Sequence, residues 1–445
     1  MISKNLLTYA LLIIILNAPA VSSQTLGKEN SRYSKTDVKY NSGVVAIDAA
    51  KFVKGNPRDK ISLRWKKIMN NTCDFVLNEW WPKSQCNGRD GEYIDFGYLE
   101  CEGKTGEFGI EDKGGIRPPA QYAYSIAVAV FTNSYDPSVT KISKEVAVKK
   151  AVTIIKSIAK DHKANGGVGH PWGDHWQSAQ WSSKCAASAW LLWNYLKPDD
   201  RENVRKMIEY EADRFLEITP PSANDNYLND TKAEENGWDA TGIQTACALM
   251  PHHKNYSAWL NKSIEYRISA LAAPNDIRNN NLIEGRTVSS WISGYNIDES
   301  GALGNHNAYP HPDYMAAPLR HAIEGSVFIA LSGRGVPRAN IFNCDLVYGN
   351  FVNHVWDNTS AIFKKDGSIY WPIKIEDDRR FEFITFGIID AGAKLFRYDN
   401  LAGIKADYWE EKHTLRALDM NLNGYIAASA YLLHWLRYQG IRYLD

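Results

Sequence analysis

The sequence predicts an all-α fold, an (α/α) toroid of helical hairpins carrying one small β-hairpin, and three observations lead there. About eleven segments repeat one rhythm: an apolar-periodic stretch of ten to twenty residues, several with apolar residues at i, i+3, i+4 and i+7, then a loop rich in Gly, Asn, Asp and aromatics. Strand-like alternation is rare, its clearest run being SAIFKKDGSIYWPI, where Asp366-Gly367 reads as a hairpin turn near 360–373. No segment recurs at a fixed period, which argues against a solenoid. Long polar and aromatic loops occur at only some connections, as expected at the rim of a closed ring around a cleft.

Taken in order, residues 1–23 read as an export signal. Lys4 precedes the apolar run 11–16, and Ala18-Pro19-Ala20 or Val21-Ser22-Ser23 offers small residues for cleavage. That run is too short to span a bilayer, so a secreted or periplasmic location is expected. Residues 24–45 form a polar segment, and 46–445 lack any Pro- or Ser-rich linker, so they read as one domain. Helices are expected near 61–79, 119–133, 141–162, 177–196, 200–216, 236–250, 255–273, 314–332, 337–357, 383–395 and 424–438. The stretch AVKKAVTIIKSIAKDH shows the spacing well. Pro198-Asp199-Asp200 opens one helix and Pro251 ends another.

The chain has 445 residues, 44% of them hydrophobic, which is ample for a large core. Its 51 basic and 51 acidic residues balance, so neither nucleic acid nor an anionic membrane is an expected partner. Fifteen Trp and 24 Tyr suit both core packing and stacking on sugars. Among six cysteines, Cys86 and Cys101 are the candidate bridge with Cys73 as competitor, whereas Cys185 and Cys247 lie in apolar helical patterns as buried thiols. No Cys/His spacing suits zinc, and no cofactor is expected. A monomer is expected.

Four loops concentrate groups able to do chemistry. GGVGHPWGDHWQSAQW brings His170, Trp172, Asp174, His175, Trp176, Gln177 and Trp181 to a helix start, either as a sugar-stacking platform or as a capped helix over packed tryptophans. NDTKAEENGWDATG carries Glu234, Glu235, Asn236, Trp238 and Asp239; acids in a first turn suit the helix dipole, which leaves Asn236 and Trp238 to be explained. YNIDESGALGNHNAYPHPDYM gathers Asp298, Glu299, Asn305, His306, Tyr309, His311 and Tyr314 before a helix. IYWPIKIEDDRRFEF holds Arg379 and Arg380, whose planar forks suit an anionic substrate, within a charge run that otherwise reads as a solvated face.

Asn, His, Tyr and Arg together fit β-elimination at a uronic acid. The C5 proton becomes removable once its carboxylate is neutralised by amide or guanidinium donors, and His and Tyr can then act as base and acid. The pattern resembles the α/α-toroid polysaccharide lyases. In the chondroitin, hyaluronate and xanthan lyases an aromatic patch and an Asn precede a His, a Tyr and an Arg; here the order is Trp172/Trp176/Trp181, Asn236, His306, Tyr314, then Arg379 or Arg380. The adjacent Asn305-His306 pair is similar to the toroidal alginate lyases. The matches cover about a fifth of the chain, and neither the Tyr spacing nor an appended β-sandwich domain of those relatives is reproduced. The resemblance implies that Asn236 or Asn305 holds the carboxylate with Arg379 or Arg380 assisting, that His306 is the base, and that Tyr314 or Tyr309 is the acid. Trp172, His175, Trp176, Gln177 and Trp238 would line the path of an acidic polysaccharide. Two other readings stand beside it. One is a toroidal glycoside hydrolase pairing Glu235 or Asp239 with Asp298 or Glu299. The other is a non-catalytic glycan-binding protein using the tryptophan loop alone.

Overall fold

Side-chain caps and helix-breaking prolines place the helix boundaries close to where the apolar spacing predicts them. The computed structural model describes residues 43–84, 86–96, 115–373 and 382–444, all within one compact unit. Among these residues twelve helices reach ten residues or more. They are α1 (Lys60–Asp74), α2 (Arg117–Phe131), α3 (Lys144–Asp161), α4 (Ser178–Leu191), α5 (Pro198–Asp213), α6 (Ala233–Leu249), α7 (Tyr256–Ala270), α8 (Pro312–Leu331), α9 (Cys344–Asn353), α10 (Glu382–Leu395), α11 (Ala406–Asp419) and α12 (Ile426–Gln439). Asp59 caps α1 by accepting from the Ser62 amide at 3.0 Å, and Ser143 caps α3 through the Val146 amide at 3.3 Å. Proline stands in the first turn of α2, α5 and α8, where its missing N–H costs nothing. The fold class is all-α with one small antiparallel hairpin.

The helices alternate between two roles. The even-numbered ones are neighbours in a cycle: α2 beside α4, α4 beside α6, α6 beside α8, α8 beside α10, α10 beside α12, and α12 beside α2 again. Odd-numbered helices pack against that cycle, α3 on α2, α5 on α4, α7 on α6, α11 on α10 and α1 on α12. Burial follows these roles. Every residue of α4 is buried; α6 buries all but Glu234 and Glu235, and α8 all but Asp313 and Tyr314. Those four exceptions all lie in first turns, so the accessible groups of α6 and α8 sit at their N-terminal ends. Polar residues farther along these helices must find partners inside the protein. Close approach is built in as well: a Cβ on Gly242 of α6 would stand 2.9 Å from the Ala179 carbonyl of α4.

Three departures from the sequence reading have physical causes. Helix α11 was not among the expected segments, although its buried positions Ala406, Trp409, Glu410, His413, Thr414 and Ala417 keep helical spacing. The residue types hid it, because Glu410 and His413 fill places where apolar side chains announce a helix; His413 Nδ1 lies 2.7 Å from Asp390 Oδ2, and Asp390 also accepts from the Tyr348 hydroxyl at 2.7 Å. The two-stranded sheet pairs β1 (Leu282–Ile283) with β2 (Arg286–Thr287), not residues near 360–373. Glu284 and Gly285 both turn with positive φ, 49° and 79°, as a two-residue hairpin loop requires. The Asp366-Gly367 turn does form, but it carries only the isolated bridge of Phe363 with Ile369. Cys73 is a buried free thiol rather than a bridge partner, and Cys185 and Cys247 are buried free thiols as expected. Cys101, residues 1–23 expected as a signal, most of the polar segment, and Arg379 and Arg380 lie outside the described residues.

Candidate functional site

Two loops bring the N-terminal ends of α6 and α8 together. The Asn296 side chain donates to the Ser269 carbonyl at 2.8 Å and the Pro221 carbonyl at 3.2 Å, and accepts from the Ala223 amide at 3.0 Å. The Tyr295 hydroxyl donates to Asp225 at 2.8 Å. These bonds zip the segment entering α6 to the one entering α8. At Gly304 a Cβ would lie 2.0 Å from the Tyr227 carbonyl, so only glycine lets the loop segments of this junction meet.

On that junction the expected His–Tyr pair forms. His306 Nε2 and the Tyr314 hydroxyl are 2.7 Å apart, with His306 exposed and Tyr314 half-buried. The ring of His311 backs Tyr314 edge-on at 4.7 Å. His306 and Asn307 adopt left-handed backbone, φ 51° and 59°, which turns the loop tightly. Asn305 is half-buried beside them; its Oδ1 accepts from the His306 amide at 2.6 Å, and its backbone bridges Ala308. Pro318, one turn into α8 from Tyr314, cannot donate to the Tyr314 carbonyl, and it packs near Gly237 of α6.

Several expected site residues are used for structure instead. Asn236 is fully buried and donates to the Pro221 carbonyl at 2.9 Å, so it anchors the loop and offers no donor to a substrate in solvent. The Tyr309 hydroxyl donates to Asp298, whose other oxygen accepts from the amides of Ser300 and Ala302 at 2.8 and 2.9 Å; burial, then this partner, push the Tyr309 phenol up. Glu299 accepts from the Asn275 amide at 2.8 Å. Trp172 is a core residue whose indole donates to the Ile158 carbonyl at 2.9 Å, and Trp181 is equally buried. Gln177 is buried and accepts from Arg117 at 3.1 Å. His175 is half-buried with its ring over Trp181 at 5.5 Å. Of that loop's tryptophans only Trp176, 46% exposed, faces solvent; it lies 5.1 Å from the buried Trp238 ring, which in turn meets His321 at 6.2 Å.

The acids of α6 are unusual in charge rather than position. Burial, then the neighbouring Asp230, push the Glu235 carboxyl up to about 8, although Lys232 Nζ donates to it at 3.0 Å. Asp239, one turn further and 7% exposed, is raised well above the carboxylate range, chiefly by burial.

A charged cluster that sequence reasoning missed lies deeper among the even-numbered helices. Lys184 of α4 and Glu324 of α8 pair at 2.8 Å with essentially no exposure, and Ser429 of α12 donates to Glu324 at 3.0 Å. Burial raises the Glu324 carboxyl, but Lys184 and His321 outweigh it and hold it below its ordinary value. His321, lowered to about 3 by burial and then by Arg320, is a neutral imidazole whose Nε2 accepts from Arg320 Nη2 at 2.9 Å. Charged residues on apolar stretches such as APLRHAIEG give no sequence signal separating a buried cluster from a solvated face. Among the described residues no group of three His, Cys, Asp or Glu side chains is placed to hold a metal ion, and no helix is long and apolar enough to cross a membrane. Compared with protein-family models, curated proteins and solved structures, the chain matches none.

Proposed function

We propose that the chain is a polysaccharide lyase that cleaves a uronic-acid-containing polysaccharide by β-elimination, with the cycle of even-numbered helices read as an α/α toroid. The observation that carries this reading is the 2.7 Å contact between His306 Nε2 and the Tyr314 hydroxyl at an accessible helix end. A base and an acid must flank one sugar residue: His306 removes the C5 proton, the C4–O bond breaks, and Tyr314 gives its proton to the departing glycosidic oxygen. The electron pair of the C5–H bond becomes the C4=C5 double bond, and no water is consumed. Asn305, beside the base, would contact the sugar carboxylate, and Trp176 would stack on a neighbouring sugar. Neither metal nor cofactor is needed for this chemistry. The export signal would take the enzyme to a polymeric substrate outside the cytoplasm.

A panel of uronate polysaccharides followed by ultraviolet absorbance of the unsaturated product tests the proposal. Wild type should produce the absorbance with at least one polymer, and His306→Ala and Tyr314→Phe should each lower the rate about 10²–10⁴-fold with helical content unchanged. Sugar release with no ultraviolet product would replace elimination by hydrolysis. That second reading is favoured by one observation, the Glu235 carboxyl held protonated up to about 8, as a general acid requires. Its expected counterparts Asp298 and Glu299 are taken up by loop hydrogen bonds, which is why elimination is preferred.

A further inference from the structure

We infer that Arg320 of α8, assisted by Tyr425 at the start of α12, is the receptor for a planar sugar carboxylate. Arg320 is 7% exposed, yet among the described residues its guanidinium makes a single hydrogen bond, to the neutral His321, and no ion pair within 4.0 Å; its buried Nε has no partner. A guanidinium taken out of water without a bonded anion is costly, and native proteins seldom leave such a donor idle. The Tyr425 hydroxyl, at the start of α12, is a second buried donor with no hydrogen-bond partner, and it lies within electrostatic reach of Arg320. Two idle donors on facing helices mark a place for an acceptor.

Direction follows from helix geometry. Side chains on a helix lean toward its N-terminus, so Arg320 reaches back from the third turn of α8 toward the end that carries Asp313 and Tyr314. Its electrostatic neighbours agree, being Tyr425, Glu324, Glu234 and Asp313, two of which lie in first turns. Glu324 forms its ion pair with Lys184 at 2.8 Å, and reaches Arg320 only at longer range. A carboxylate matches the planar fork in a way a hydroxyl does not, since two parallel N–H donors can meet its two oxygens. That the carboxylate belongs to a uronate rests on the elimination reading; the existence of the anion receptor does not.

Binding of D-glucuronate, with D-glucose as the neutral control, followed through tryptophan fluorescence and calorimetry on the full chain, tests the inference. Wild type should saturate with glucuronate and not with glucose. Arg320→Gln should weaken glucuronate binding at least tenfold, Arg320→Lys nearly as much because the fork is lost though the charge remains, and Tyr425→Phe severalfold. Should Arg320→Gln fail to fold, the lysine and phenylalanine variants decide. Glucuronate binding no better than glucose, or unchanged by these substitutions, overturns the inference. The two readings separate cleanly. Saturation by glucuronate without any unsaturated product sinks elimination alone, whereas turnover of a uronate polymer with unchanged KM and kcat in Arg320→Lys and Tyr425→Phe sinks the receptor alone.

Discussion

At His306 the backbone φ of 51° places a side chain in the left-handed region, which costs a non-glycine residue on the order of 1 kcal/mol or more. Glycine would relieve that cost, so His306→Gly should melt at a higher temperature than His306→Ala in a calorimetric scan. Glu235 supplies a second residue-scale prediction. Its carboxyl keeps a proton in the folded state up to about 8, whereas the unfolded chain releases it near the ordinary 4.5. The folded form therefore binds the extra proton between those values, and this group's contribution to stability is fully present below pH 4.5 and is lost as pH rises toward 8. Melting temperatures of wild type and Glu235→Gln measured across that range should diverge, with wild type falling relative to the variant. The contact of His306 with Tyr314 was legible in sequence because both stand within nine residues on a loop that runs into a helix start. Asn236 misled for the opposite reason: an amide near a helix start looks the same whether it meets solvent or, as here, a loop carbonyl.

Helices α4, α6 and α8 depend on contacts that leave no space for added atoms. Gly242→Ala would set a methyl against the Ala179 carbonyl and Cβ, both 2.9 Å away, and backbone cannot move aside without separating α4 from α6. A loss of about 1–3 kcal/mol is expected, read as a lower urea midpoint with unchanged slope. The buried pair between α4 and α8 should be costlier to break: Lys184→Met leaves Glu324 without its cation and should destabilise by about 3–5 kcal/mol in the same measurement. The amphipathic α3 was readable from its spacing because one face meets water. Inner helices such as α6 are buried nearly all round, so only their existence, and not the direction of their charged side chains, could be read. Helix α11 was missed because Glu410, His413 and Thr414 take half of its buried positions.

At the scale of the molecule, the cycle closes through residues far apart in sequence. The hydroxyls of Ser134 and Tyr431 lie 2.7 Å apart, the Trp435 indole donates to Asn56 at 3.0 Å, and Gln439 donates to the Gly55 carbonyl at 2.7 Å while accepting from the Lys54 amide at 3.0 Å. Removing residues 420–445 would strip α12 from between α2 and α10 and bare the apolar faces of both. The full chain should unfold in a single sharp transition, whereas such a truncation should unfold broadly and bind a hydrophobic dye. Which helix neighbours which could not be read from sequence, since it is set by which helices touch and not by what any one of them contains.

That closure also bears on biosynthesis. Ser134 and Tyr431 are separated by 297 positions, so α2 emerges from the ribosome long before the neighbour that completes its wall. Until α12 is translated the nascent chain carries a half-finished interior, with Lys184 and Glu324 deprived of the Ser429 donor that finishes their surroundings. Assembly is thereby a late event, and a holding chaperone during translation would meet a need written into the architecture.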